Sequence, residues 1–265
     1  DGFTVGADSG YNGNGNSMVS WNWKAGGSAS NNTDGNTTTS VSVNQDAGFS
    51  IMKYAGDGND STIGHGLGAK PEYIIFKEID GAESWRVWSK YTPDTASKAL
   101  ALNLTDAAFS QSGWIGAIST STISIGTDSS INTNGNNYIA YAFAPKKGFS
   151  SAGSYVGNGN NDGTFIWTGQ KSAFVLVKRT DATANWSLID NTRDPFNVTY
   201  HFLEPNVSDD EFIPSGPQAA FDFCSQGFKC RSTNGAINAS GATYIYMAFA
   251  ENPFVTSTGV PATAR

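Results

Sequence analysis

A single histidine in a glycine-rich turn is the first candidate for nucleophilic catalysis. His65 stands between Gly64 and Gly66, with Asp57 and Asp60 a few residues before it. Nucleophilic catalysis requires a serine or cysteine, a base beside it and an acid that orients the base. The matching position in a second copy of this segment, described below, is Ile166, and no Gly-x-Ser-x-Gly motif occurs. We therefore predict that His65 is a turn or surface residue and not a catalyst.

Acidic residues are the next candidates, because glycosidases hydrolyse sugars with two carboxylates at a set separation. Acidic groups lie within residues 78–83 and 209–211, but neither group recurs in the other copy of the repeat. We interpret them as solvated loop acids. Asp57 with Asp60, or Asp162, could offer hard oxygen ligands to calcium, although their spacing matches no EF-hand. Calcium stays a minor alternative, and we predict no other metal or cofactor.

The two cysteines and the Gly-x-Gly turns also have plain structural interpretations. Cys224 and Cys230 could bridge a short hairpin, but one pair makes no disulfide framework, so two reduced thiols are favoured. The turns Gly56-Asp57-Gly58 and Gly157-Asn158-Gly159 lack the lysine and the strand-to-helix context of phosphate loops. They are typical of turns with positive φ.

Tryptophans provide the strongest binding hypothesis, because the flat apolar face of a sugar stacks on an aromatic ring. Trp85 and Trp186 take matching positions in two predicted strands, which favours a place in the core. Trp114 and Trp167 have no obvious counterpart, so a surface role is more plausible for them. The candidate ligand-binding residues are Trp114, Trp167, Trp88, Asp57 and Asp162.

The chain repeats itself at a spacing of 101 residues. Tyr-x-Gly-x-Gly-Asn occurs at Tyr54 and again at Tyr155, and Trp85 and Trp186 keep the same spacing. Three copies of a second pattern begin at Asn12, Asn132 and Asn238; each reads Asn-x-x-Gly followed by an aromatic, alternating segment. A short apolar strand, an Asn/Gly turn and an alternating strand together indicate a hairpin.

These repeats predict five segments. Residues 1–26 are the closing hairpin of a partial upstream repeat, and 27–48 are a polar linker with one strand at 39–43. Residues 49–148 and 149–254 are β-sandwich repeats, and 255–265 are a flexible tail. The chain also begins without methionine, which predicts a fragment or a processed product.

Strand patterns dominate, and the predicted fold class is all-β. Segments 73–76 and 174–177 are almost continuously apolar, which is typical of central strands covered on both faces. The best helical candidate is a turn or two at 104–109. Frequent short strands with regular turns favour tandem β-sandwiches of jelly-roll type, two full and one partial. A single double sandwich, in which the partial unit completes a neighbour's sheet, remains an alternative.

Composition excludes several function classes. The net charge is −7 and charged residues make up only 15% of the chain, without a basic stripe, so nucleic-acid binding is not expected. Apolar runs are of strand length, far below the ~20 residues of a membrane-spanning helix, and no signal peptide is visible.

The motifs together resemble a repeat of tailed-bacteriophage tail-fibre and other virion structural proteins, particularly marine and cyanophage ones. The resemblance rests on residues 48–51 (GFSI), 64–71 (GHGLGAKP), the closing segment 243–254 (TYIYMAFAENPF) and the junction 21–27 (WNWKAGG). It implies lectin-like, concanavalin-like β-sandwiches, a homotrimer and no transferable catalytic residues.

The expected function is therefore a non-catalytic adhesin on the virion surface that binds host cell-surface glycans and contacts other virion proteins. A structural head or tail decoration protein, which would bind only other virion proteins, is the alternative. A polysaccharide depolymerase is the third hypothesis.

Overall fold

The computed structural model describes residues 2–95, 97–211 and 221–252, and it confirms the all-β fold class, with 39% strand and 3% helix. The helices are two single turns, α1 (Ser9–Asn12) and α2 (Ser129–Asn132). The strands, in chain order, are β1 (Ser30–Asn32), β2 (Thr39–Asn44), β3 (Phe49–Ala55), β4 (Ser61–Gly64), β5 (Tyr73–Glu78), β6 (Arg86–Ser89), β7 (Lys98–Ala101), β8 (Phe109–Ser110), β9 (Ile115–Ile118), β10 (Thr122–Ile125), β11 (Asn137–Phe143), β12 (Ser150–Val156), β13 (Phe165–Trp167), β14 (Ser172–Arg179), β15 (Ser187–Asp190), β16 (Phe202–Leu203), β17 (Phe221–Cys224), β18 (Gly227–Cys230) and β19 (Thr243–Ala250).

These strands form four sheets, two large and two small. The first large sheet has the order β1-β2-β3-β11-β5-β6-β7-β8, and its small companion has the order β4-β10-β9. The second large sheet has the order β12-β19-β14-β15-β16, and its companion has the order β13-β18-β17. The strand order β3-β11-β5-β6-β7 thus recurs as β12-β19-β14-β15-β16. All strand pairs in the sheets are antiparallel.

Three apolar clusters hold the sheets together. One lies between the first large sheet and its small companion and includes Phe76 and Ile123. Another occupies the same place in the second set of sheets and includes Val175 and Phe228. The third joins the two large sheets to each other, with Trp186 among its buried members. Strands β5 and β14 are therefore covered on both faces, as their apolar sequences predicted.

The segment at 104–109, which was the best helical candidate, lies beside the third cluster. This segment is not helical: Ala184 N donates to Thr105 O at 2.9 Å, and Ala108 N donates to Thr180 O at 2.9 Å. These bonds tie its backbone to the second set of sheets. A one-turn helix would have to give up both of them, so the helical prediction was wrong.

The first 48 residues also differ from their sequence pattern. Residues 2–26 contain α1 and no strand, although a hairpin was expected. In the matching copy, β11 lies between β3 and β5, and a strand without such neighbours is marginal in water. The strand expected at 39–43 is present as β2, and segment 27–48 supplies two strands, β1 and β2, to the first large sheet.

The predicted tail, 255–265, lies outside the described residues. Among those described, no helix combines the length and the apolar character that a membrane crossing requires.

Candidate functional site

Trp167 is the one candidate tryptophan that offers its ring to solvent. It is the last residue of β13, and 68% of its surface is exposed. Its strand partner is Gly227 of β18, which places it at the end of the small sheet. Single exposed apolar side chains are common on folded domains, so what makes Trp167 a candidate is the cleft beside its ring.

The turn after Trp167 holds the ring in place. Thr168 N and Gly169 N both donate to Gln226 O, at 2.9 and 3.1 Å. Gly169 has φ of 75°, and a Cβ added there would lie 3.1 Å from Cη2 of Trp167. The indole therefore lies across the glycine, so a larger residue at 169 would press on the ring. The ring rests on backbone that the turn has fixed.

Beside the ring lies a cleft of about 430 Å³, which we call the Trp167 cleft. Its lining combines the edge strand β12 with polar groups from both sets of sheets, and the side chains of interest are Glu72, Tyr91, Lys147, Ser151 and Gln226. An aromatic platform beside a few polar groups suits a ligand with one apolar face and several hydroxyls.

Glu72 is the carboxylate that lines this cleft, and it is already engaged. Its oxygens accept hydrogen bonds from Lys90 Nζ and from the Tyr91 hydroxyl, both at 2.7 Å. Burial raises the pKa of Tyr91, and the bond to Glu72 raises it further. The Tyr91 hydroxyl is therefore neutral at physiological pH and donates its proton to Glu72.

The other two candidate tryptophans lie inside the protein. Trp88 is buried and donates through Nε1 to Thr95 O at 3.2 Å. Trp114 is buried in the core under the first small sheet, where its ring packs edge-on against Phe76. Neither presents a ring face for stacking. Trp186 is buried, as expected, whereas Trp85 is half-buried, and both precede their strands by one residue instead of lying inside them.

The two candidate aspartates are engaged by protein groups. Asp57 accepts a hydrogen bond from Asn59 N at 2.9 Å, and this bond is the main reason that its pKa is lowered. Asp162 contacts Lys229 Nζ at 2.5 Å, which lowers the pKa of its carboxyl, and Arg231 lies at 3.7 Å. Within the described residues, no three His, Cys, Asp or Glu side chains gather to hold a metal ion.

His65 is buried, so the expectation that it could lie at the surface was wrong. Its Nδ1 accepts a hydrogen bond from Leu67 N at 3.2 Å, and its carbonyl accepts one from Ser50 at 2.7 Å. Desolvation by burial lowers its pKa, against smaller opposing effects of Ser119 and Asp34. A neutral imidazole here is part of the core.

Both cysteines are free, as favoured from the sequence. Cys224 pairs with Gly227 and Cys230 with Phe221, so the two thiols stand at different positions of one hairpin. Burial raises the pKa of Cys230 to about 12, which makes it an unreactive thiol.

Sequence reasoning named Trp167 as a candidate but did not name the other residues that line its cleft. Glu72, Tyr91 and Lys147 are distant from it in the chain, and Gln226 belongs to a turn with no distinctive motif. Their proximity arises from the packing of the two sets of sheets, for which the sequence contained no local signal.

The chain belongs to the family described as "Domain of unknown function (DUF7483)", whose model matches residues 1–253. No curated protein and no solved structure matches the chain.

Proposed function

We propose that this member of the DUF7483 family is a non-catalytic adhesin of a virion surface, which binds host cell-surface glycans in the Trp167 cleft. The observation that carries the proposal is the 68% exposed indole of Trp167, held rigidly beside a polar cleft. A pyranose can lay its apolar face on this ring while its hydroxyls meet Gln226, Ser151 and Lys147. Proposed partners are other virion proteins, and the proposed assembly is a homotrimer, by the resemblance described above.

The composition supports an exposed surface of this kind. The chain is rich in uncharged polar residues and has a net charge of −7, so its attraction to polyanions is weak. Sugar hydroxyls can be recognised by neutral donors and acceptors. Binding to neutral glycans therefore suits this protein better than binding to sulfated ones.

A glycan array with the assembled protein tests this proposal. Trp167→Ala should weaken binding roughly tenfold or more, because a stacking contact contributes about 0.5–1.5 kcal/mol beyond the area it buries. Phe165→Ala is the matched control, since Phe165 is a 47% exposed aromatic residue of the same strand, β13, but does not line the cleft. No glycan signal for the wild-type protein, or equal losses in the two variants, would contradict the proposal.

Cleavage of the bound polysaccharide is less well supported. Hydrolysis by the usual mechanism needs two carboxylates about 5–10 Å apart, whereas the Trp167 cleft has Glu72, which Lys90 and Tyr91 already engage. Release of reducing ends from a bound polysaccharide, abolished by Glu72→Gln, would favour a depolymerase instead.

A structural decoration protein is the second candidate function, favoured by the exposed apolar residues of segment 2–23. Antibody labelling of intact particles separates the two candidates. Labelling of the host-facing tail tip supports the adhesin, and labelling confined to the capsid supports the decoration protein.

A further inference from the structure

The two sequence motifs that recur in this chain meet in space and form a clamp. In the first set of sheets, Asn132, the last residue of α2, is buried under the Gly-x-Gly loop at Asp57. Its Nδ2 donates to Asn59 O at 2.6 Å and to Gly126 O at 2.9 Å, and its Oδ1 accepts from Asp57 N at 2.9 Å. One buried amide therefore fixes the loop that follows β3.

The second set of sheets repeats this clamp bond for bond. Asn238 Nδ2 donates to Asn160 O at 2.9 Å and to Ser232 O at 2.8 Å, and Oδ1 accepts from Asn158 N at 3.0 Å. In both sets, two tyrosines stack beside the clamp: Tyr54 on Tyr138 at 5.4 Å, and Tyr155 on Tyr244 at 4.9 Å. The strand with its loop and the Asn-x-x-Gly segment are thus two halves of one unit.

The third copy of the Asn-x-x-Gly segment, at residues 3–18, has the same local structure without its other half. We call it the open copy. Asp8 caps α1 by accepting from Gly10 N at 2.7 Å, just as Asp128 accepts from Ser130 N at 2.9 Å at the start of α2. Asn12 Nδ2 donates to Gly6 O at 2.9 Å, which matches the bond from Asn132 to Gly126. Within the part of the chain that the structure describes, the Asn12 side chain makes only this bond.

The apolar residues of the open copy are those that a complete unit buries. Their equivalents around α2 are all at most 2% exposed: Ile123, Ile125, Ile131 and Tyr138. In the open copy the matching side chains are 40–73% exposed: Phe3, Val5, Tyr11 and Met18. The open copy therefore presents apolar residues whose equivalents in the two other copies lie in the core between a large sheet and its small companion.

The open copy is attached to the rest of the protein at one end. Trp23 packs edge-on against Phe174 at 5.5 Å and against Phe249 at 5.3 Å, in the cluster between the two large sheets. The segment that follows the open copy is therefore anchored in the interface between the two large sheets.

We propose that the open copy is a docking site for a β-strand that ends in a Tyr-x-Gly-x-Gly-Asn loop, supplied by a repeat other than the two at residues 49–252. This occupant is inferred from the two complete copies, where such a strand and loop contact the equivalent Asn-x-x-Gly segment. The chain's own two loops are held by Asn132 and Asn238, so neither is free to serve. Docking would place another repeat of the same type against residues 3–18, so that repeats assemble in series.

The occupant must carry glycine at the first loop position. A Cβ added at Gly56 would lie 2.3 Å from Thr133 O, and one added at Gly157 would lie 2.3 Å from Ala239 O. Contacts this short with backbone atoms cannot be relieved by a side-chain rotation. The loop can therefore approach the end of the Asn-x-x-Gly segment only if its first position is glycine. A Gly→Ala substitution at that position, which adds one methyl group, tests the proposal.

The experiment is a titration of the protein with a fluorescent synthetic peptide that has the sequence of residues 49–60, read by fluorescence anisotropy. The wild-type protein should bind it saturably. Asn12→Ala should weaken binding roughly tenfold or more, since the amide would make three hydrogen bonds to the peptide loop and the segment. Asn31→Ala, an exposed asparagine of β1 outside the open copy, is the matched control and should bind like the wild type.

A peptide with Gly56→Ala supplies the second arm and should fail to bind. Asn12 is exposed, so Asn12→Ala keeps the fold intact, and circular dichroism checks this. Absence of saturable binding by the wild-type protein would overturn the proposal, as would equal binding of the two peptides. A peptide-free dimer that dissociates on Asn12→Ala would also overturn it, because a second copy of the chain would then be the occupant.

Discussion

The edges of the two large sheets are built differently although their strand order is the same. In the first sheet, β2 pairs along β3 and covers its outer edge. In the second sheet, no strand of the described residues pairs with the outer edge of the equivalent strand β12, and its residues Ser150 and Ser151 line the Trp167 cleft. One edge is sealed by the chain, and the other faces a cleft.

The residues at the matching position follow this difference. Gly64 takes the place in the first set of sheets that Trp167 takes in the second, because each is the last residue of its strand and follows a buried isoleucine. A Cβ added at Gly64 would lie 1.7 Å from Asn32 Oδ1 of β1, which pairs with β2. The covering strands leave no space for an indole. A binding residue can thus arise in this fold where the edge is left uncovered, and a repeat can lose such a residue by gaining a strand.

The largest expected effect is on the free energy of unfolding, and it distinguishes the buried Trp186 from the exposed Trp167. Trp186 is buried between the large sheets and donates through Nε1 to Ala101 O at 2.8 Å. We expect Trp186→Ala to lower the free energy of unfolding by about 3–5 kcal/mol, because it leaves a cavity. Trp167→Ala should change it by about 0.5 kcal/mol or less. Chemical denaturation measures both, and a large loss in Trp167→Ala would assign that ring to the core instead of to a ligand.

Substitution of the clamp asparagines should have the next largest effect on the free energy of unfolding, and it allows the three copies to be compared directly. Asn132→Ala and Asn238→Ala should each lower the free energy of unfolding by about 2–4 kcal/mol, because each leaves several buried polar groups unpaired. Asn12→Ala should cost close to nothing in the absence of a partner. The same denaturation series tests this order, and an equal loss in all three variants would show that the open copy is already part of the folded core.

The sequence predicted the features that depend on local pattern. Alternating aromatic residues marked β11 and β19, and the apolar runs at 73–76 and 174–177 marked strands covered on both faces. The repeated motifs also indicated matching copies, and the structure shows the physical cause, since each buried asparagine needs its Gly-x-Gly loop.

Features set by packing between distant segments could not be predicted. His65 is buried because sheets distant in sequence cover it, although its neighbours in the chain are glycines. Trp114 and Trp167 both lacked a counterpart in the repeat, yet one is buried and the other exposed. What separates them is whether another strand or sheet covers the ring, and no local pattern records that.

The comparison of matched lysines gives a pH-dependent prediction. Lys178 is buried and donates from Nζ to Arg179 O, Ala184 O and Thr105 O at 2.9–3.2 Å, whereas Lys77 at the matching position is half-buried. Burial lowers the pKa of Lys178 to about 8, from 10.5. Between these values the unfolded chain binds a proton that the folded chain has released, so stability rises with pH.

The expected gain from pH 8 to about 10.5 is at most about 3 kcal/mol, since one pKa unit corresponds to about 1.4 kcal/mol. Urea denaturation of wild type and Lys178→Met across this window measures it, because the difference between the two cancels the titration of tyrosines. Lys77→Met controls for the loss of a lysine. A difference that does not change with pH would mean that Lys178 is fully charged in the fold up to the pH at which it titrates when unfolded.

The smallest effect concerns His65, which is buried, as is Ile166 at the position 101 residues later in the chain. Burial lowers the pKa of His65 below its usual 6.5, so in acid the unfolded chain takes up a proton before the folded one does. Stability should therefore fall as the pH drops below about 6.5, and His65→Leu should remove this part of the decline. Denaturation midpoints of the two proteins at pH 7.5 and at successively lower pH provide the measurement. If His65 were instead exposed and catalytic, as a histidine between two glycines could be, the two midpoints would keep a constant separation across this range.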